Sequence, residues 1–157
     1  MPKEKERYLD IGCGLSKQSG SIGIDWHPFP GVDIVRDIRR GLPFDDNTVD
    51  RIICKHCIEH FDGDDLMFLV DEFWRVSKPS ISWVIIVPDN TSPNRYRDPT
   101  HKTRDWSEDS FIFWEVDKEG KYLIHRGPMY NTHAKLQCVH SEVHSNLDRF
   151  YQLRVIK

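Results

Sequence analysis

Apolar residues recur along this chain in two rhythms, and their alternation outlines an α/β sheet. Tyr8-Leu9-Asp10-Ile11-Gly12, residues 21–25 and residues 32–36 are short apolar runs punctuated by Gly and Pro, which predicts three strands. A turn cluster at Asp45-Asp46-Asn47 precedes a fourth run, residues 49–54. The rhythm then changes. Leu66, Leu69, Val70, Phe73, Trp74 and Val76 repeat at helical spacing, with Asp64 or Asp65 as the expected cap and Ser77-Lys78-Pro79 as the stop. Residues 82–87 are continuously apolar, as in a strand buried on both faces of a parallel sheet. A long polar loop over 90–106 follows, of a length usually reserved for function or disorder. Ser107-Glu108-Asp109-Ser110 reads as a helix start leading into Phe111, Phe113 and Trp114. Two β-like runs, near 135–143 and 149–156, suit an antiparallel hairpin closing the sheet.

At 157 residues the chain is expected to form one domain, residues 1–157, without repeats or linkers. No apolar run approaches the roughly 20 residues that span a bilayer, and none near the start has the length of a signal peptide. A soluble, cytoplasmic protein is the expectation. The net charge of −3 offers no global basic field for nucleic acid. Cys13, Cys54, Cys57 and Cys138 are not spaced like a secreted disulfide framework, so free thiols are expected.

The candidate chemistry sits at the strand ends. Gly12 and Gly14 close the first strand, and Asp25 closes the second. Glycine permits positive φ and lets a ligand approach the backbone, and the turn after the first strand of an open parallel sheet is a common nucleotide site. An acid at the second strand end suits ribose hydroxyls. A dinucleotide fingerprint requires a third glycine where Lys17 stands and an acid about twenty residues on. Only ten residues separate Gly14 from Asp25, which leaves little room for a pyrophosphate-binding helix. A nucleoside cofactor without phosphate fits better.

On these residues the chain resembles the class I S-adenosylmethionine-dependent methyltransferases, in a small variant with a shortened first helix. Leu9-Asp10-Ile11-Gly12-Cys13-Gly14 matches their first motif, and Asp25 matches the ribose-binding acid. Asp37-Ile38, Leu42-Pro43-Phe44, His56-Cys57-Ile58-Glu59-His60, Arg75-Val76-Ser77-Lys78-Pro79 and Asp98-Pro99-Thr100-His101 match later motifs in order. The resemblance implies a Rossmann-like fold, with a mainly parallel sheet, a C-terminal antiparallel hairpin and helices on both faces. It implies S-adenosylmethionine as cofactor, held by Asp10, Gly12, Cys13, Gly14, Asp25, Asp37, Ile38 and Cys57. Trp26 either flanks the adenine or packs beside His27 and Pro28. The family's N-terminal covering helices have no counterpart before the first strand, which implies an open site and raises a non-catalytic binding module as the alternative.

Methyl transfer needs a base only when the acceptor must lose a proton. His56 and His101 are the first choices, since imidazole titrates near neutrality. Glu59, His60 and Asp89 are further candidates, with Glu59 and His60 equally able to fix the strand-to-helix turn. The acceptor is unidentified. The basic stretch Arg95-Tyr96-Arg97 to Lys102-Thr103-Arg104 suits an anionic small molecule and leaves nucleic acid open. No metal is expected. His56-x-x-Glu59-His60 matches an inverted zinc-peptidase signature but sits at a strand end instead of mid-helix. Cys54 and Cys57 would face opposite sides of an extended strand, which opposes a joint zinc site with Cys138, His140 and His144.

Overall fold

The computed structural model describes residues 6–124 and 131–157. Strands β1 (Tyr8–Ile11), β2 (Ile22–Asp25), β3 (Ile34–Val35), β4 (Arg51–Lys55), β5 (Ser82–Pro88), β6 (Leu136–Val143) and β7 (Asp148–Val155) make one sheet, ordered β3-β2-β1-β4-β5-β7-β6. The first five run parallel, and β7 and β6 close the sheet antiparallel. The sheet is therefore mixed and mostly parallel, with the hairpin where the terminal runs predict it. Leu9, Ile11, Ile24, Ile52, Trp83 and Ile85 are all buried and share one face of the sheet. Ile53, Val84 and Ile86 on the other face are only half-buried, so β5 is not buried on both faces as its continuous apolar run predicts.

Helix α1 (Gly63–Val76) crosses between β4 and β5. Its cap is Asp62, whose carboxylate accepts the Asp65 N–H at 3.2 Å. Asp64 and Asp65, the expected caps, lie in the first turn, where negative charge also suits the helix dipole. The stop is Ser77: its hydroxyl donates to the Phe73 carbonyl and accepts the Trp83 indole N–H at 2.8 Å, tying the helix end to β5. Glu72 faces inward, accepting the Leu42 N–H at 2.7 Å and pairing with Arg75, which also donates to the carbonyls of Leu42 and Phe44.

Helix is scarcer than the resemblance implies. The β1–β2 connection is a loop, as the small variant with a shortened first helix implies; the β2–β3 connection carries no helix either, and α2 is only Asn94–Arg97. The helix expected from Ser107 does not form. Residues 107–115 instead make successive turns with N–H groups bonded three residues back, as from Ser110 to Ser107 and Trp114 to Phe111. Their aromatic side chains explain it. Phe111 packs between Trp106, Trp114 and Tyr151 of β7, with ring centroids 4.9 Å from Tyr151, and the Tyr151 hydroxyl donates to the Ser107 carbonyl. Among the described residues, no helix is long and apolar enough to cross a membrane.

Candidate functional site

The carboxyl ends of β1, β2, β4 and β5 share one edge, and every expected site residue lies along it or in the loops leaving it. The glycine loop is built by carboxylates that catch its amides. Asp10, buried in β1, accepts the Gln18 N–H at 2.7 Å, and burial raises its pKa against that bond. Asp25 accepts the Gly14 N–H at 2.9 Å on one oxygen and the His27 N–H at 3.0 Å on the other. Each Asp25 oxygen keeps a second lone pair free. Gly14 has φ +50° and open space where a side chain would stand, so the loop presents bare backbone beside Asp25. Leu15 and Trp26, immediately beyond those two residues, are 74% and 76% exposed. Trp26 does not pack against the core; its ring stands 6.2 Å from that of His27.

The other expected cradle residues serve the framework more than the surface. Gly12 (φ +67°) is pressed on Cys57, whose Cβ would lie 2.6 Å from any Cβ at position 12. The Cys13 thiol is turned beneath Gly23 and held protonated, with its pKa pushed up to about 11 by burial. Asp37 caps a short 3-10 turn over Ile38–Arg40, and both its oxygens are engaged by the Arg39 guanidinium. Ile38 has its side chain in the core; its amide, first in the turn, has no partner within it. Cys57 does not face away from Cys54: His56 adopts φ +51°, which ends the strand and brings the two thiols together. The set with Cys138, His140 and His144 is still not assembled, since those residues lie on or beside exposed β6.

Beyond β4 and β5 opens a cleft of about 750 Å³, lined by His56, Glu59, His60, Asp98, His101 and Asp148 with Pro88, Asn94, Arg97 and Pro99. His56 sits at the β4 end, with Nε2 3.1 Å from Asp148 and Nδ1 3.5 Å from Glu59. The Glu59 carboxylate raises its pKa; burial opposes this and Asp148 adds to it. His60 and His101 meet edge to face at 4.8 Å. The loop carrying His101 is pinned here by backbone bonds from Lys102 and Thr103 to the Glu59 carbonyl, at 2.8 and 3.0 Å. His56 and His101 are thus brought into one cleft. Asp89 is not: fully buried, it is consumed by Thr91 and Arg149, and although burial would raise its pKa these partners hold it low. Two lining acids, Asp98 and Asp148, lie outside the expected set. Asp148 had no local signal beyond its place at a turn, since β7 delivers it from the far end of the chain.

The basic stretch is partly spent on partners. Arg95 pairs with Asp105 at 3.0 Å and stacks over Tyr96, and Lys102 lies 3.6 Å from Asp62. The cleft itself holds three acids and one arginine.

Residues 9–82 match the family described as a methyltransferase domain. No curated protein matches the sequence. Among solved structures, a protein from Pyrococcus horikoshii OT3 superposes with a TM-score of 0.65 at 17% identity, covering 98% of this chain and 84% of that one. A SAM-dependent methyltransferase from Archaeoglobus fulgidus gives 0.63 at 21% identity, covering 97% and 87%. One from Methanosarcina mazei gives 0.61 at 15%, covering 98% and 94%. These likenesses establish the fold.

Proposed function

Because this chain belongs to the class I S-adenosylmethionine-dependent methyltransferases, we propose that one domain holds the cofactor at the Gly12–Gly14 loop and the methyl acceptor in the cleft beyond β4. When bound, S-adenosylmethionine supplies an electrophilic methyl on a sulfonium, and the protein contributes position and electrostatics.

The observation that carries this reading is the pairing of Gly14 with Asp25. A buried carboxylate holds the loop open, keeps unused lone pairs, and stands beside a backbone with no side chain over it. That suits a ribose diol, with no phosphate to accommodate. The exposed Trp26 and Leu15 flank the same spot and would cover apolar faces of a nucleoside. Asp37 is committed to Arg39, so the adenine edge falls to the Ile38 amide.

On the acceptor side, His56 is the candidate base, and it takes a proton only by exchanging the contact of one ring nitrogen with Asp148 or Glu59 for one with the acceptor. It is half-exposed to the cleft, and Asp148 and Glu59 both favour its charged form. His101 and His60 line the same cleft beside it and orient the acceptor. With three acids against one arginine, the cleft favours a neutral or hydroxyl-rich small molecule over an anion or a polynucleotide.

Calorimetric titration with S-adenosylmethionine and S-adenosylhomocysteine tests the cofactor half, with NAD as control. Both sulfur ligands should bind and NAD should not. Asp25→Asn forfeits charge-assisted bonds of about 1.5–3 kcal/mol, a loss of roughly 10- to 100-fold in affinity. Unchanged binding in a folded Asp25→Asn protein would sink this placement of the ribose.

A further inference from the structure

Glu59 is out of balance with its surroundings. It is 1% exposed, and neither carboxylate oxygen has a hydrogen-bond partner. Buried carboxylates are retained in proteins when they are paired or coordinate a cation. The nearest candidates stand off, with His56 Nδ1 at 3.5 Å and His101 Nε2 at 4.0 Å. Yet one donor atom each from Glu59, His60 and His101 falls within 4.8 Å of the others, a span that one ion could bridge.

The second atoms of the two imidazoles are already committed, in the way that metal-bound histidines require. His101 Nδ1 faces the Arg95 carbonyl at 3.3 Å, so it carries the proton and leaves Nε2 with its lone pair toward Glu59. Thr100 gives its only hydroxyl proton to Asp98 at 2.6 Å. Its oxygen therefore accepts from His60 Nδ1 at 2.9 Å, and His60 Nε2 is likewise left as a bare donor. Asp98 keeps its other oxygen 3.9 Å from His101 Nε2, at the mouth of the cluster.

We propose that Glu59, His60 and His101 form a binding site for one divalent transition-metal ion in the wall of the acceptor cleft. Two imidazoles and one carboxylate suit zinc, iron, cobalt or manganese better than magnesium or calcium, which prefer oxygen ligands throughout. Three protein ligands leave coordination positions open toward the cleft, where an oxygen of the acceptor would bind. This last role rests on the cleft being the acceptor side; the site itself does not. The arrangement is not the peptidase motif, because its second histidine comes from residue 101 and His56 stays outside the set.

Titration of the purified, metal-free chain with Co2+, followed by visible absorption and calorimetry, tests the site directly. One equivalent per chain should bind, with ligand-field bands in the visible. Glu59→Gln and His101→Ala should each weaken binding by roughly 100-fold or more, and Thr100→Val by about 10- to 100-fold through the freed His60 ring. Without metal, Glu59→Gln should melt no lower than the parent, since an amide is cheaper to bury unpaired than a carboxylate. Titration with S-adenosylhomocysteine runs in parallel and should be unaffected in all three variants. No cobalt uptake by a chain that binds S-adenosylhomocysteine overturns the metal site alone. Uptake that persists in both Glu59→Gln and His101→Ala overturns it too. Cobalt uptake lost in those variants, by a chain that does not bind S-adenosylhomocysteine, upholds the site and removes the cofactor reading instead.

Discussion

Two glycines in one loop do different work, and substitution separates them. Gly12 lies at φ +67° against Cys57, so Gly12→Ala meets both backbone strain and a collision. The left-handed conformation costs a non-glycine residue about 1–2 kcal/mol, and overpacking adds about 1–3 kcal/mol. Gly14→Ala meets the strain alone, since nothing stands near its Cβ. Denaturant unfolding should find Gly12→Ala the less stable by at least about 1 kcal/mol. Calorimetry should find that Gly14→Ala, whose methyl would enter the proposed ligand space, weakens S-adenosylmethionine more than its stability loss explains. The sequence motif names both glycines but does not distinguish them; the neighbour that does, Cys57, is brought in from the end of β4.

Helix α1 and the 107–115 segment show how far local pattern carries an element. The apolar spacing of α1 was legible because a helix packs on a sheet along one stripe, and Leu69, Val70, Phe73 and Val76 are buried as that stripe requires. Residues 107–110 have equally good helix-start chemistry, yet aromatic packing overrides it. Phe111 and Trp114 must both reach the β7 side of the core, which a run of turns allows. Removing the anchor should release the segment. Phe111→Ala is expected to cost about 3–5 kcal/mol in urea unfolding. A loss under about 1 kcal/mol would mean that the Tyr151 bond to Ser107 holds these turns without Phe111.

Across the molecule, stability is linked to acid. Burial would raise the pKa values of Glu72, Asp89 and Asp50. Arg75 and the Leu42 amide for Glu72, Thr91 and Arg149 for Asp89, and Lys78 for Asp50 bring all three below their ordinary values. A group held low in the folded state binds its proton sooner when unfolded, so its stabilisation is full above the unfolded pKa and is lost as pH falls through the folded one. Asp10, raised by burial, works in the opposite direction. Carboxylates held low outweigh it, so the urea midpoint should fall below about pH 4.5, where carboxylates of ordinary pKa begin to protonate. Near neutrality it should also decline as pH rises through the raised pKa of His56. Asp89→Asn should lower the midpoint at pH 7 and make its decline in acid shallower. An equal decline in parent and variant would remove Asp89 from this account.

The strands, α1 and the glycine–aspartate cradle were legible in the linear chain because each depends on residues a few positions apart. Apolar period, capping groups and positive-φ glycines act over one turn or one pleat. The sulfonium cofactor, in turn, followed from resemblance and from the short interval between Gly14 and Asp25. The acceptor cleft is another matter. His56 comes from β4, Glu59 and His60 from the turn after it, His101 from the loop after β5, and Asp148 from the antiparallel β7. No spacing relates residues 59, 101 and 148. The crossover of α1 and the reversal at the hairpin bring them within a few ångströms, and those contacts decide which carboxylate is paired and which is left bare. Burial then turns Glu59 from one of many surface-type acids into a carboxyl group without a hydrogen bond, because burial acts on a position in space and leaves no mark along the chain.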